Sequence, residues 1–199
     1  MRTVMTNEKL NYSEQLFLIL FKEFYDRNYI CNNAEKLHDG ILAEHLQAQK
    51  VAYLFSQANI SVDDYTFIWD KKGPFSVGLQ MMLKSLDKKS EDVEAFYQRY
   101  DENKNEYIED LLTEKQIRKM KLIVDKLSKY IRCGDFKNVC NAAEMIGSLV
   151  YLNQSVMPSC NFQDLLKELS IRKSYLELYT SADLWSALKE TGLVSTWSY

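Results

Sequence analysis

The chain predicts a mainly α, single-domain fold: a multi-helix bundle with one short extended arm or hairpin around a Gly-Pro turn. Three observations lead there. Only two prolines and six glycines interrupt 199 residues, too few breaks for a many-turned β-sandwich. Apolar residues recur at helical spacing along most of the chain, enough for roughly seven or eight helices. A hydrophobic content of 46% and an aromatic content of 13% mark an ordered chain long enough to bury a sizeable core. Residues 1–199 therefore read as one helical domain. It has an N-terminal part at 11–86, an acidic segment at 87–112 with the character of an insertion, and C-terminal helices at 113–199.

Asn11, followed three residues later by Glu14, forms a capping box and opens a helix to about Asn28. Leu16, Leu20 and Phe24, with Phe17 and Phe21 beside them, give it a wide apolar face and a central place. Asn32-Asn33 and Asp39-Gly40 mark turns. In the next helix Val51, Leu54, Phe55 and Ala58 face inward, and Lys50 and Gln57 are expected to leave that face for solvent. The period then changes. Tyr65, Phe67 and Trp69 alternate with Thr66, Ile68 and Asp70, so an extended backbone gathers the aromatics on one face. Gly73-Pro74 breaks the run, because proline fixes its own φ and restrains the residue before it. Ser76 is placed to cap a helix whose Leu79, Met82, Leu83 and Leu86 form a buried stripe.

Residues 90–105 are charged, with Phe96, Tyr97 and Tyr100 as apolar anchors, and are expected to form a lid-like appendage. Thr113 and Gln116 make a second capping box. It opens a long helix with Ile117, Met120, Ile123, Val124, Leu127 and Ile131 inward and an end near Gly134. Asp135 caps a helix through Leu152, whose Ala142, Ala143, Gly147 and Ser148 permit close approach of a neighbour or of a second copy. Pro158 and Asn161 separate it from Phe162–Leu169. A last helix opens at Thr180 or Ser181, turns Leu184, Trp185 and Leu188 inward and stops at Gly192. The apolar tail Leu193–Tyr199 is expected to fold back on the core.

Composition narrows the function. A net charge of −3 gives no overall attraction to nucleic acid or an anionic membrane. No apolar run approaches the ~20 residues of a membrane span. Cys31, Cys133, Cys140 and Cys160 lack CxxC spacing, and read as free thiols in a reducing cytoplasm. His38 and His45 lie two helical turns apart, ~10.5 Å of rise, too far for one metal ion, and read as surface or capping histidines. No G-x-S-x-G, G-x-G-x-x-G or Walker A sequence occurs. Asp63-Asp64 and Glu109-Asp110 read as solvated carboxylates. The expectation is a protein without catalytic residues, cofactor or metal. One polar pattern stands out: Lys115, Arg118, Lys119, Lys126 and Lys129 share a helix face, with Lys121 and Arg132 at its edge. A solvated amphipathic face is its simplest reading, and a nucleic-acid-binding regulator is the alternative.

The arm offers a further possibility. Tyr65, Phe67, Trp69 and Phe75 read first as core, while the arm's edge can accept an added strand or a partner's helix, with Lys50 and Tyr53 nearby as polar anchors. Gln49-Lys50-Val51-Ala52-Tyr53-Leu54, then Tyr65-x-Phe67-x-Trp69-x-x-x-Gly73-Pro74-Phe75-Ser76, resembles the bacterial Panacea domain family and the similar YwgA-type proteins. The segments 142–149 and 181–188 resemble the C-terminal helices of the latter. Asp70-Lys71-Lys72 stands where those families carry aromatic and small residues. The family includes SocA-type proteolytic adaptors and antitoxins. The resemblance thus implies a cytoplasmic interaction module binding a protein partner, either a toxin or a target delivered to a protease. Its candidate binding residues here are Lys50, Tyr53, Trp69, Gly73, Pro74, Phe75 and Ser76.

Overall fold

The computed structural model describes residues 10–25, 43–131, 136–158, 160–176 and 182–195. They form α1 (Tyr12–Tyr25), α2 (Ala43–Gln57), β1 (Ile68–Asp70), β2 (Gly73–Phe75), α3 (Val77–Leu86), α4 (Ser90–Glu102), α5 (Lys104–Leu111), α6 (Glu114–Ile131), α7 (Phe136–Tyr151), α8 (Phe162–Arg172) and α9 (Ala182–Glu190). A 3-10 turn, Asp87–Lys89, joins α3 to α4, and a π-helical turn, Leu152–Val156, follows α7. The fold is mainly helical, with one antiparallel hairpin, as the spacing of breaks and apolar residues predicts.

Both capping boxes form. Asn11 and Glu14 exchange backbone-to-side-chain bonds of 2.9 Å each, and Thr113 and Gln116 do the same at 3.0 and 3.4 Å. The Ser76 hydroxyl accepts from the Leu79 N–H, and the Asn161 side chain accepts from the Asp164 N–H. At the other end of α9, Gly192 adopts a left-handed φ of 63°. Its N–H reaches the Lys189 carbonyl and that of Leu193 reaches Leu188, a Schellman stop. Asn59, at φ 61°, ends α2 in the same way through Ile60 and Phe55.

The core gathers around α2, which packs on α1, α3, β2 and α7. Every residue from His45 to Phe55 is buried, so this helix has no solvent face in its middle. That corrects one expectation: Lys50 does not leave for solvent but lies 1% exposed. The small residues of α7 lie against α2, so this seam is internal rather than a homodimer surface. A Cβ on Gly147 would come within 3.3 Å of the Lys50 side chain.

The acidic segment is not a peripheral lid. Phe96, Tyr100, Tyr107 and Ile108 are buried in the main core. Tyr97 and Tyr100 donate to the Leu18 carbonyl and to Glu23 on α1, and Lys22 pairs with Asp101 at 2.6 Å. Glu14, itself buried, accepts from Lys89 at 2.7 Å and ties the 3-10 turn to the start of α1. Leu193 and Val194 return to the core as expected, with Asn153 accepting from the Ser195 N–H at 2.8 Å. The predicted features at 26–42, Gly134, Asp135, Thr180, Ser181, Trp197 and Tyr199 lie outside the described residues.

Candidate functional site

The expected turn at Gly73-Pro74 falls two residues earlier, at Lys71-Lys72, with Gly73-Pro74 opening β2. The hairpin is held from below by side chains of α2 and of the segment after α8, the latter braced by α7. Its register pairs Ile68 with Phe75, Trp69 with Pro74 and Asp70 with Gly73, leaving Lys71-Lys72 as a two-residue turn. Antiparallel strands alternate hydrogen-bonded and non-hydrogen-bonded pairs. A two-residue turn closes on a bonded pair, so Trp69 and Pro74 face each other at a non-bonded one. The Pro74 carbonyl therefore points away from β1, and Lys50 Nζ donates to it at 2.7 Å. Gln49 meets Ser76 twice: its amide donates to the Ser76 carbonyl and its oxygen accepts from the Ser76 N–H, both at 2.9 Å. The Lys71 carbonyl accepts from Lys173 Nζ and, at 2.7 Å, from the Tyr175 hydroxyl. The same two groups donate to Glu144 Oε1 on α7, Lys173 at 2.8 Å.

Gly73 lies at φ +89°, where side chains are strained, and a Cβ there would sit 2.7 Å from Ser148 Oγ. Glycine at position 73 is thus a requirement of conformation and space together. Trp69 lies 5.5 Å from Tyr151, with Lys173 Nζ 5.0 Å and Arg172 Cζ 5.6 Å from its ring. Tyr53 packs on Phe67 at 5.2 Å. Among the described residues, no hydrogen-bond partner reaches the buried Tyr53 hydroxyl or Ser148 Oγ.

Lys50, Glu144 and Lys173 are each at most 2% exposed. Burial pushes the Lys50 ammonium down to about 7, against the opposing pull of Glu144 and helped by the like charge of Lys173. Burial also lowers Lys173, which the hydrogen bond to Glu144 resists. A neutral Lys50 amine still donates to Pro74. These groups are committed to backbone carbonyls and to one another, and the arrangement immobilises a turn.

The sequence-predicted set is brought together here, but mostly below the surface. Lys50, Tyr53, Gly73, Pro74 and Ser76 are buried, and Trp69 and Phe75 are half-buried. The surface that this platform presents is carried by Ile68, 54% exposed, with Asp70 and Lys71. Glu144, Lys173 and Tyr175 escape sequence reasoning as site residues, because Glu144 comes from α7 and the other two from the turn after α8, with no spacing that links them.

The basic face of α6 is partly used inside the molecule. Lys119 Nζ donates to the Thr191 carbonyl at 2.5 Å and Lys126 pairs with Glu190 at 2.6 Å, both at the C-terminus of α9, where cations are favoured. Arg118 pairs with Glu114 along its own helix, and Lys129 lies over Tyr130. Lys115 is exposed. His45 is not a surface residue but buried, between Gln80 at 2.9 Å and the Asp87 carboxylate at 3.1 Å; His38 lies outside the described residues. A cavity of about 660 Å³ beside it is lined by Phe17, Phe21, Leu83, Val93 and Tyr97, apart from the lysine cluster. Among the described residues there is no cluster of His, Cys, Asp and Glu fit to hold a metal ion, and no helix long and apolar enough to cross a membrane. Cys160 is a free thiol; the side chains of Cys31, Cys133 and Cys140 lie outside the described residues. Comparison with family models, curated proteins and solved structures returned no match.

Proposed function

We propose that the protein is a non-catalytic interaction module, adaptor-like or antitoxin-like, that binds a partner protein through the outer face of the β1–β2 hairpin. One observation carries the reading: a short hairpin is fixed to the core by buried side chains at three carbonyls, while its outer strand shows solvent a large apolar residue, Ile68. A pre-set surface loses little freedom on binding, which favours affinity without large area. The buried members of the candidate set act as positioning residues, and contact falls to Ile68, Lys71 and the exposed part of Trp69. The adaptor-like or antitoxin-like role comes from the resemblance to Panacea proteins, whereas the choice of Ile68 and Lys71 as contact residues comes from exposure alone. The basic face of α6 supports the nucleic-acid alternative less well, since Lys119 and Lys126 hold α9.

The test is affinity capture of the tagged protein from its native cells, with and without nuclease. A stoichiometric protein that survives nuclease and is lost with an Ile68→Asp variant of unchanged thermal stability is the expected result. Equal recovery with that variant, or recovery only of nucleic acid, overturns the proposal.

A further inference from the structure

Register leaves the outer edge of β1 unsatisfied. If Trp69 faces Pro74 at a non-hydrogen-bonded pair, its own N–H and C=O point away from β2, and those of Phe67 point the same way by strand alternation. Among the described residues no hydrogen bond reaches any of these four groups. The edge is short, but its strand is pinned: the carbonyls of Pro74, Ser76 and Lys71 each accept from a buried side chain, Lys50, Gln49 and Lys173 in turn. Strand slippage is the usual weakness of a two-stranded ribbon.

The edge is also charged in a definite sense. Arg172 is paired with Glu168 at 2.6 Å, which leaves Lys71 and Lys72 beside Asp70 as the charges of the turn. Neither turn lysine makes an ion pair among the described residues; Lys72 Nζ lies 4.5 Å from the Tyr175 ring centre. An incoming strand would meet an apolar neighbour at Ile68 and two cations at the turn end.

Resting on the interaction role proposed above, we infer that the occupant is an extended segment of the partner that adds as a third strand to β1, with carboxylates at the end beside Lys71 and Lys72. Phe67 and Trp69 supply the main-chain bonds, the residue beside Ile68 is apolar, and the two lysines set the register. Addition to a free edge draws its affinity from backbone bonds and its selectivity from alternate side chains. The surface thus reads spacing and charge rather than one fixed sequence.

Random nine-residue peptides displayed on phage and selected against the intact protein test this. The expected winners carry an alternating apolar pattern with Asp or Glu at one end. A synthetic winner should lose at least ten-fold in affinity against a Lys71→Glu/Lys72→Glu variant. It should lose binding when N-methylated at alternate amides, and keep it when N-methylated at the intervening ones, since a strand uses every second amide on one side. Winners without acidic ends, or indifference to both changes, overturn strand addition. If cell capture still yields a partner lost with Ile68→Asp, the interaction role stands without it. Recovery of neither peptide nor partner removes both.

Discussion

Helix α2 carries a single lysine, Lys50, and α6 carries five, and the two helices use them in opposite ways. In α6 the apolar residues hold one face, and the cations of the other reach outward or bridge to the end of α9. In α2 every residue from His45 to Phe55 is buried, so Gln49 and Lys50 have no solvent to leave for. Their polar ends are satisfied by the hairpin backbone instead. Burying a polar group costs free energy unless it is paired, and for Gln49 and Lys50 the partners are carbonyls and an N–H of the hairpin backbone. Whether a helical lysine reaches solvent depends on what packs against the face that carries it, not on its spacing within the helix.

The largest break in this contrast should come from Glu144. A Glu144→Leu variant leaves Lys173 buried without its carboxylate, and removing one member of a buried pair costs about 3–5 kcal/mol. Denaturant unfolding should show that loss. Survival at full stability would mean that the site is wetter than its geometry implies.

Next comes pH. Above about 7 the folded chain releases the Lys50 proton, while the unfolded chain keeps it until about 10.5. Between those values the unfolded state binds more protons, so this group makes stability rise with pH; below about 7 both states are charged and its contribution is flat. Relative to a Lys50→Met variant, which has no such proton, the wild type should gain about 2–3 kcal/mol between pH 7 and 9. Parallel curves would show that Lys50 keeps its charge. The smallest effect belongs to α6: Lys126→Ala should leave the unfolding midpoint unchanged within error, as for other exposed ion pairs. A clear drop would make the α6–α9 contact more than a surface pair.

Periodicity, caps and breakers were enough to determine the helical class, the stripe on α3, both capping boxes, the stop at Gly192 and an extended arm or hairpin over 65–75, though not that its turn falls at Lys71-Lys72. These depend on residues within a few positions of one another, where backbone geometry alone dictates the outcome. The aromatic alternation likewise placed Phe67 and Trp69 on the covered face and Ile68 on the open one. Tertiary structure decided the rest. Phe96 and Tyr100 became core because α1 lacked cover on that side, although the charge around them reads as a solvated appendage. Lys50 went inside because α7 is small at Gly147 and Ser148, which leaves room for a lysine stem. Glu144, Lys173 and Tyr175 met at the Lys71 carbonyl only through the packing of three distant segments. Local sequence carries the energetics of turns and caps; it does not carry the dielectric around a charge, which depends on what the rest of the chain brings near it.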